Sequence, residues 1–340
     1  MIEVTTSPDL DQWDEFVCNH PHGNIFQTSE MAEVYKQTKN YELIRLAAID
    51  HSTKEVLGIL QGVVIKEMGS FLGSFSARSI IHGGPLLIDG AEGIKVLKKL
   101  IQYYDKTVRN KVLYTQTRNL WDTSEISNTL SELGYRYEDH LNFLIDLNRS
   151  EKEIWRDIHK SRRKGIKRAA KKGIIIEELK EKELIPTIYK ILKETYNNAR
   201  IPLADISLFK SAFEKLVPKN MAKFYVAKHE GRIVATRIIL SYKEIIYDWY
   251  AGSLSNYLSF YVNEALVWHI LKEGANNGYR VFDFGGAGKP NKEYGVREFK
   301  RRFGGKLVNF GRYTRVYQPL KLSIAKALFK AYRVVKRIKL

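Results

Sequence analysis

The segment FDFGGAGKPNKEYGVREFKRRFGGKLVNF, residues 282–310, gathers residue types that could do chemistry within one short stretch. It opens as an apolar strand that carries Asp283 and ends on Gly285 and Gly286, whose missing side chains permit close backbone approach. Some dozen residues on, Phe299 and Lys300 stand side by side, with Phe303 one helical turn away. Lys300 supplies a cation, and Asp283 supplies a carboxylate that could act as a base or orient that lysine. The same residues admit a plainer reading: a surface lysine beside a core phenylalanine, and a carboxylate that accepts backbone hydrogen bonds at a strand end.

A second kind of chemistry is anion binding. HKSRRKGIKRAAKKG holds eight basic residues from Lys160 to Lys172, uninterrupted by any acid. On a helix over 158–172, Lys160, Lys164, Arg168 and Lys172 form one row, and Arg163, Lys167 and Lys171 form the next. Like charges stacked in this way oppose helix formation. An anionic partner held by Arg163, Lys164, Lys167, Arg168 and Lys171 would offset that cost, whereas the bland alternative is a solvated basic face. The tail LKLSIAKALFKAYRVVKRIKL, residues 320–340, repeats apolar residues at Ile324, Leu328, Tyr332 and Val335. Lys326, Lys330, Arg333 and Arg337 occupy the opposite side, and no acid occurs. Such a basic amphipathic helix either lies on an anionic membrane surface through residues 321–340 or docks its apolar side on the protein's own core.

The elements that must position these residues fall into two similar halves. A chain of 340 residues, 44% hydrophobic, exceeds one ordinary core and predicts two domains. The first, 1–150, reads as a hairpin (YELIRLAAID and VLGILQGVVIKE), a strand broken at Gly-Gly-Pro, a helix from Glu92 to about Arg109 with Ile94, Leu97, Leu100 and Ile101 on its apolar side, and further strands. The second, 151–315, repeats that order: helices over 180–198 and 205–217, three strands, a helix over 257–276, and the strand RVFDFGG. This is a duplicated α+β arrangement, followed by the C-terminal helix 316–340.

Charge and cysteine content narrow the function classes. Fifty-six Lys and Arg against 38 Asp and Glu give a net charge of +18, a field that attracts nucleic acid, phosphorylated carriers or an anionic membrane. The single cysteine, Cys18, excludes an internal disulfide framework and a cysteine-based zinc cluster. Neither a signal peptide nor a membrane span is expected, which points to a cytoplasmic protein that could still sit on the inner membrane face. The histidines form no metal-binding or triad spacing, so no metal is expected.

Asp-Phe-Gly-Gly followed by Gly-x-x-x-Phe-Lys-x-x-Phe-Gly resembles the Fem-type aminoacyltransferases, which build peptidoglycan interpeptide bridges. GNIFQTSEMAEVYK, SRRKGIKRAAKKGI, KETYNNARIP and WYAGSLSNYLSFYVNEALVWHILKEGANNGY fit the same resemblance, which covers residues 12–312. It implies two fused GNAT-like (acetyltransferase-type) domains, each a mixed, mostly antiparallel sheet flanked by helices, in a form without the family's long helical arm. It also implies a reaction, the transfer of an amino acid from aminoacyl-tRNA to an amine of a lipid-linked or nucleotide-linked cell-wall peptide precursor, with no cofactor beyond that donor.

By the same resemblance Lys300 stabilises the tetrahedral oxyanion or binds an acceptor phosphate, and Phe299 shapes its pocket. Arg200 contacts the precursor's phosphates or carboxylates, although TYNNARIP departs from the family's usual Thr-x-x-Arg spacing. Lys36 and Tyr250 fall in substrate-contact segments.

Two other functions stay open. An N-acyltransferase using acyl-CoA on an amino sugar would share the fold, but YDWYAGS runs into LSNYLSFYVNEAL without the glycine-rich turn that cradles a pyrophosphate. A non-enzymatic nucleic-acid-binding protein would explain the charge alone.

Overall fold

A computed structural model describes residues 1–66 and 77–338, with side chains described as far as residue 328. The chain forms β1 (Ile2–Thr5), α1 (Leu10–Asn19), α2 (Ser29–Lys36), β2 (Tyr41–Asp50), β3 (Val56–Ile65), β4 (Arg78–His82), β5 (Leu86–Leu87), α3 (Gly90–Val108), β6 (Tyr114–Arg118), α4 (Ser124–Glu132) and β7 (Arg136–Glu138). It continues through β8 (Leu141–Asp146), α5 (Glu151–Asp157), α6 (Lys160–Lys171), β9 (Ile175–Glu178), α7 (Ile185–Ala199), α8 (Ile206–Leu216), β10 (Ala222–His229), β11 (Arg232–Tyr242) and β12 (Ile245–Ser253). The last elements are α9 (Val262–Asn276), β13 (Val281–Gly286), α10 (Gly295–Arg301), β14 (Lys306–Asn309), β15 (Arg312–Val316) and α11 (Pro319–Ile338).

Two compact units result, Met1–Asp139 with Phe310–Leu340, and His140–Asn309. Each is a mixed α+β sheet. The first has strand order β1-β2-β3-β4-β6-β15-β7, with β5 added beside β3; the second has order β14-β8-β13-β12-β11-β10-β9. In each, an antiparallel meander meets one parallel pair, β4 with β6 and β12 with β13. The duplicated order read from the sequence is therefore present in the sheets.

The units divide elsewhere than at residues 150 and 315. β8 pairs between β13 and β14 of the second sheet, while β15 returns to pair between β6 and β7 of the first. The first unit thus takes β15 from beyond the second, which itself begins with β8. A strand's own sequence fixes which residues alternate inward but does not name its neighbours, so LNFLID at 141–146 reads equally well as the end of the first half.

The cores follow the expected periodicities. Leu97, Leu100 and Ile101 of α3 are buried against the first sheet with Tyr104 and Val108, whereas Ile94 is only partly buried. Returning strand β15 is tied to this helix: buried Asp105 accepts from Tyr135 Oη at 2.7 Å and Tyr317 Oη at 2.5 Å, and also from Arg315. In the second unit, Phe282 and Phe284 of β13, Ile246 of β12 and Phe303 pack with Val262, Leu266, Val267 and Ile270 of α9 and with Ile166 and Ala169 of α6. Gly165 is needed where α6 meets the start of α9, since a Cβ there would lie 2.9 Å from the Tyr261 ring.

Candidate active site

β12 and β13 pair in parallel only from Ile245↔Val281 to Tyr247↔Asp283 and then part. Parting strands leave backbone carbonyls without ladder partners, and α10 brings Lys300 to them. Its Nζ donates to Phe284 O and, at 3.1 Å, to Gly286 O. Lys300 is buried, at 8% exposure, and burial pushes its pKa down from 10.5 to about 8. Gly285, at φ +71°, lets the corner close: a Cβ there would lie 3.3 Å from Asp248 O and 3.7 Å from Lys300 Nζ. Close backbone approach at these glycines is thus present, and the lysine is a buried group, not a surface one.

Phe299 holds the other side of the corner. Its ring lies 5.1 Å from Phe303 and 6.4 Å from Phe284, and the Arg162 guanidinium stands 4.4 Å over its face. Arg162 is fixed in turn by Glu264 at 2.5 Å. Asp283 is buried on the strand face opposite Phe282 and Phe284. Its carboxylate accepts from Asn142 Nδ2 and from Gly285 N, each at 2.7 Å, and burial raises its pKa. Asp283 therefore pins the glycine turn beneath Lys300, whose own bonds go to carbonyls.

Tyr250 stands in an aromatic group on α7, α8 and β12, 5.7 Å from Tyr196 and 4.8 Å from Phe209. Arg200 ends α7 one turn beyond Tyr196; it adopts the left-handed conformation, φ 55°, and its N–H bonds Asn197 O at 3.0 Å. Lys36 belongs to the first unit, exposed at the end of α2 and paired with Glu33 at 2.6 Å. Helix α6 forms as its sequence predicts. Arg168 donates to Tyr261 Oη at 3.0 Å and Lys172 to Ser259 O at 3.1 Å, while Lys164, Lys167 and Lys171 are exposed and Arg163 is partly so. The two rows thus differ, one partly tied to the 255–261 turn and the other facing outward.

Two charged residues beside Lys300 escaped the sequence reading. Arg237 of β11 and Asp248 of β12 form an ion pair at 2.8 Å with side chains 6% and 10% exposed. The available signal was a single charge inside each apolar run, IVATRIILSY and IIYDWYAGS, because buried charges are rare without a partner or a task.

Comparison with known proteins bears on this arrangement. The Acetyltransferase (GNAT) domain family matches residues 156–301, which span α6, the parting strands and Lys300. The chain is 20% identical over 326 residues to a UDP-N-acetylmuramoylpentapeptide-lysine N(6)-alanyltransferase of Weissella viridescens, covering 89% of this chain and 91% of that protein. Over nearly its whole length the chain is similar to this Fem-type alanyltransferase, and its fold is of the GNAT type. The crystal structure of FemX superposes with a TM-score of 0.70 at 16% identity, covering 95% of this chain and 100% of that one. A tandem GNAT protein from the clavulanic acid biosynthesis pathway follows at 0.60 and 9%, covering 93% and 99%. The two GNAT-type domains implied by the Fem resemblance are present, and with these relatives the chain is a transferase of the GNAT type.

Proposed function

We propose that this Fem-type transferase moves an aminoacyl group from tRNA to an amine of a cell-wall peptide precursor, and that Lys300 is its catalytic residue. The observation that carries this reading is a buried lysine at the parting of β12 and β13 with its pKa pushed to about 8. The reaction needs no covalent nucleophile, because the ester is already activated. The amine nitrogen attacks the ester carbonyl, the C–N bond forms, the bond from the acyl carbon to the ribose oxygen breaks, and that oxygen leaves as the ribose hydroxyl with the proton the amine gives up. Protonated Lys300 would stabilise the oxyanion and could pass a proton to the departing oxygen; a cation in a site shielded from water is strongest there. Phe299 would wall the site, Tyr250 and Arg200 would contact the acceptor, and the outward row of α6 would track the donor's phosphates.

Support for the acceptor class comes from the alanyltransferase relative, whose name specifies a muramoylpentapeptide lysine. Support for a membrane-side location comes from α11, where Ile324 and Leu328 are 52% and 57% exposed; the side chains of Tyr332 and Val335 lie outside the described residues. Among the described residues no helix is long and apolar enough to cross a membrane.

The test compares labelled aminoacyl-tRNA with labelled acetyl-CoA as donor to nucleotide-linked and lipid-linked precursor, with and without ribonuclease. Ribonuclease-sensitive incorporation is expected. Incorporation from acetyl-CoA alone would overturn the donor assignment and favour the N-acyltransferase.

A further inference from the structure

The Arg237–Asp248 pair has no evident structural purpose. An ion pair withdrawn from water seldom stabilises a fold more than apolar residues of the same volume would. This one also leaves Arg237 Nε and Asp248 Oδ1 buried without hydrogen-bond partners among the described residues, a further cost of desolvation.

The sheet is locally altered to create it. Along β11 and β12 the register passes from Ile238↔Tyr250 to Ile239↔Asp248, so Trp249 is an extra residue on β12. In a regular strand residues 248 and 251 face opposite ways. The inserted residue puts Asp248 on the face that Arg237 shares with its partner Ala251, and bulges of this kind re-aim side chains beside active sites.

That face is the one Lys300 reaches. The Arg237 guanidinium lies 5.8 Å and Lys300 Nζ 5.2 Å from the Phe284 ring centre, and Asp248 O borders the same glycine as Lys300 Nζ. The charged groups acting on Lys300 are Asp248 from β12, Arg237 from β11 and Asp283 from β13, while Tyr196 from α7 interacts with Asp248, Arg237 and Tyr294.

We propose that the Arg237–Asp248 pair is the positioning device for Lys300, with the Asp248 carboxylate retaining its ammonium form and Arg237 limiting that pull. Asp248 and Arg237 are positioning residues; neither is assigned contact with substrate. The inference rests on the proposed role of Lys300 only for its catalytic meaning, because the charge state of Lys300 is measurable without turnover. Two opposed charges act on one cation, so removing them must shift it in opposite directions: loss of the carboxylate favours neutral Lys300, and loss of the guanidinium favours the ammonium.

The experiment is competitive labelling of the folded protein with isotopic acetic anhydride across pH, read by mass spectrometry on the peptide containing Lys300. Asp248→Asn should lower the labelling midpoint by about one pH unit, and Arg237→Gln should raise it. Arg237→Lys, which keeps the charge, should leave it near the wild-type value. Shifts of the same sign, or no shift in either variant, would overturn the proposal. Should a single variant fail to fold, the double variant Arg237→Gln/Asp248→Asn leaves neither charge stranded. Its midpoint should fall below wild type, because the carboxylate outweighs the guanidinium, and an unchanged or raised midpoint contradicts the proposal. A midpoint that moves as expected while the pH dependence of transfer stays fixed would refute the catalytic role of Lys300 and leave the positioning intact.

Discussion

Burial strips water from the Lys300 ammonium and brings its pKa from 10.5 to about 8, so both protonation states are populated slightly above neutral pH. The acceptor amine must be neutral and Lys300 must be charged, so transfer should rise with pH and then fall as pH passes about 8. A single-turnover pH profile checks this, and an alkaline limb near the ordinary lysine value would contradict it. The sign for stability follows from the same shift. The unfolded chain holds the lysine proton up to pH 10.5 while the folded one releases it near 8, so this group's contribution to stability rises across that interval and is a constant cost below it. Lys300→Met should flatten that rise in melts followed over the same interval. Gly285→Ala should reduce transfer as well, because φ +71° strains any side chain and the added methyl would press on Asp248 O and Lys300 Nζ. Phe299 and Lys300 were legible because a motif carries them. Arg237 and Asp248 were not, because a bulge and a pairing register bring them together, and neither is written in a local sequence pattern.

Among the elements, helices such as α3 and α6 were readable from periodicity, since each buries one face against a single sheet or helix. The two strands at the unit boundaries were not. β8 is buried over most of its length and β15 buries only Tyr313, and the placement of both depends on partners far along the chain. For β15 the linkage is concentrated at Asp105. Asp105→Ala would leave Tyr135, Tyr317 and Arg315 without their shared acceptor and should cost about 3 kcal/mol, measured as a denaturant midpoint shift at unchanged slope. A loss under about 1 kcal/mol would show that strand pairing alone holds β15 in place. The α6 helix makes a separate claim. Reversing Arg163, Lys167 and Lys171 to Glu should weaken tRNA binding by tenfold or more and lower its salt slope by about three, roughly one for each phosphate no longer neutralised. Precursor affinity should not change; equal losses for donor and acceptor would remove α6 from the donor site.

At the scale of the whole molecule, the +18 charge serves two proposed anionic partners, a polynucleotide donor and a membrane that carries lipid-linked acceptor. Deleting residues 321–340 should abolish sedimentation with anionic vesicles, to which each lysine or arginine near the surface contributes about 1 kcal/mol, while transfer to a water-soluble precursor persists. Unchanged sedimentation would mean that the tail binds the protein and not the lipid. The central claim is that aminoacyl transfer takes place at Lys300, where β12 and β13 part. The most direct measurement is single-turnover transfer from aminoacyl-tRNA by wild type and Lys300→Ala, both verified as folded and both with donor and precursor affinities measured. The expected result is a loss of at least about 100-fold in the transfer step with both affinities preserved. An undiminished transfer rate, or a loss explained entirely by weaker binding, would contradict it.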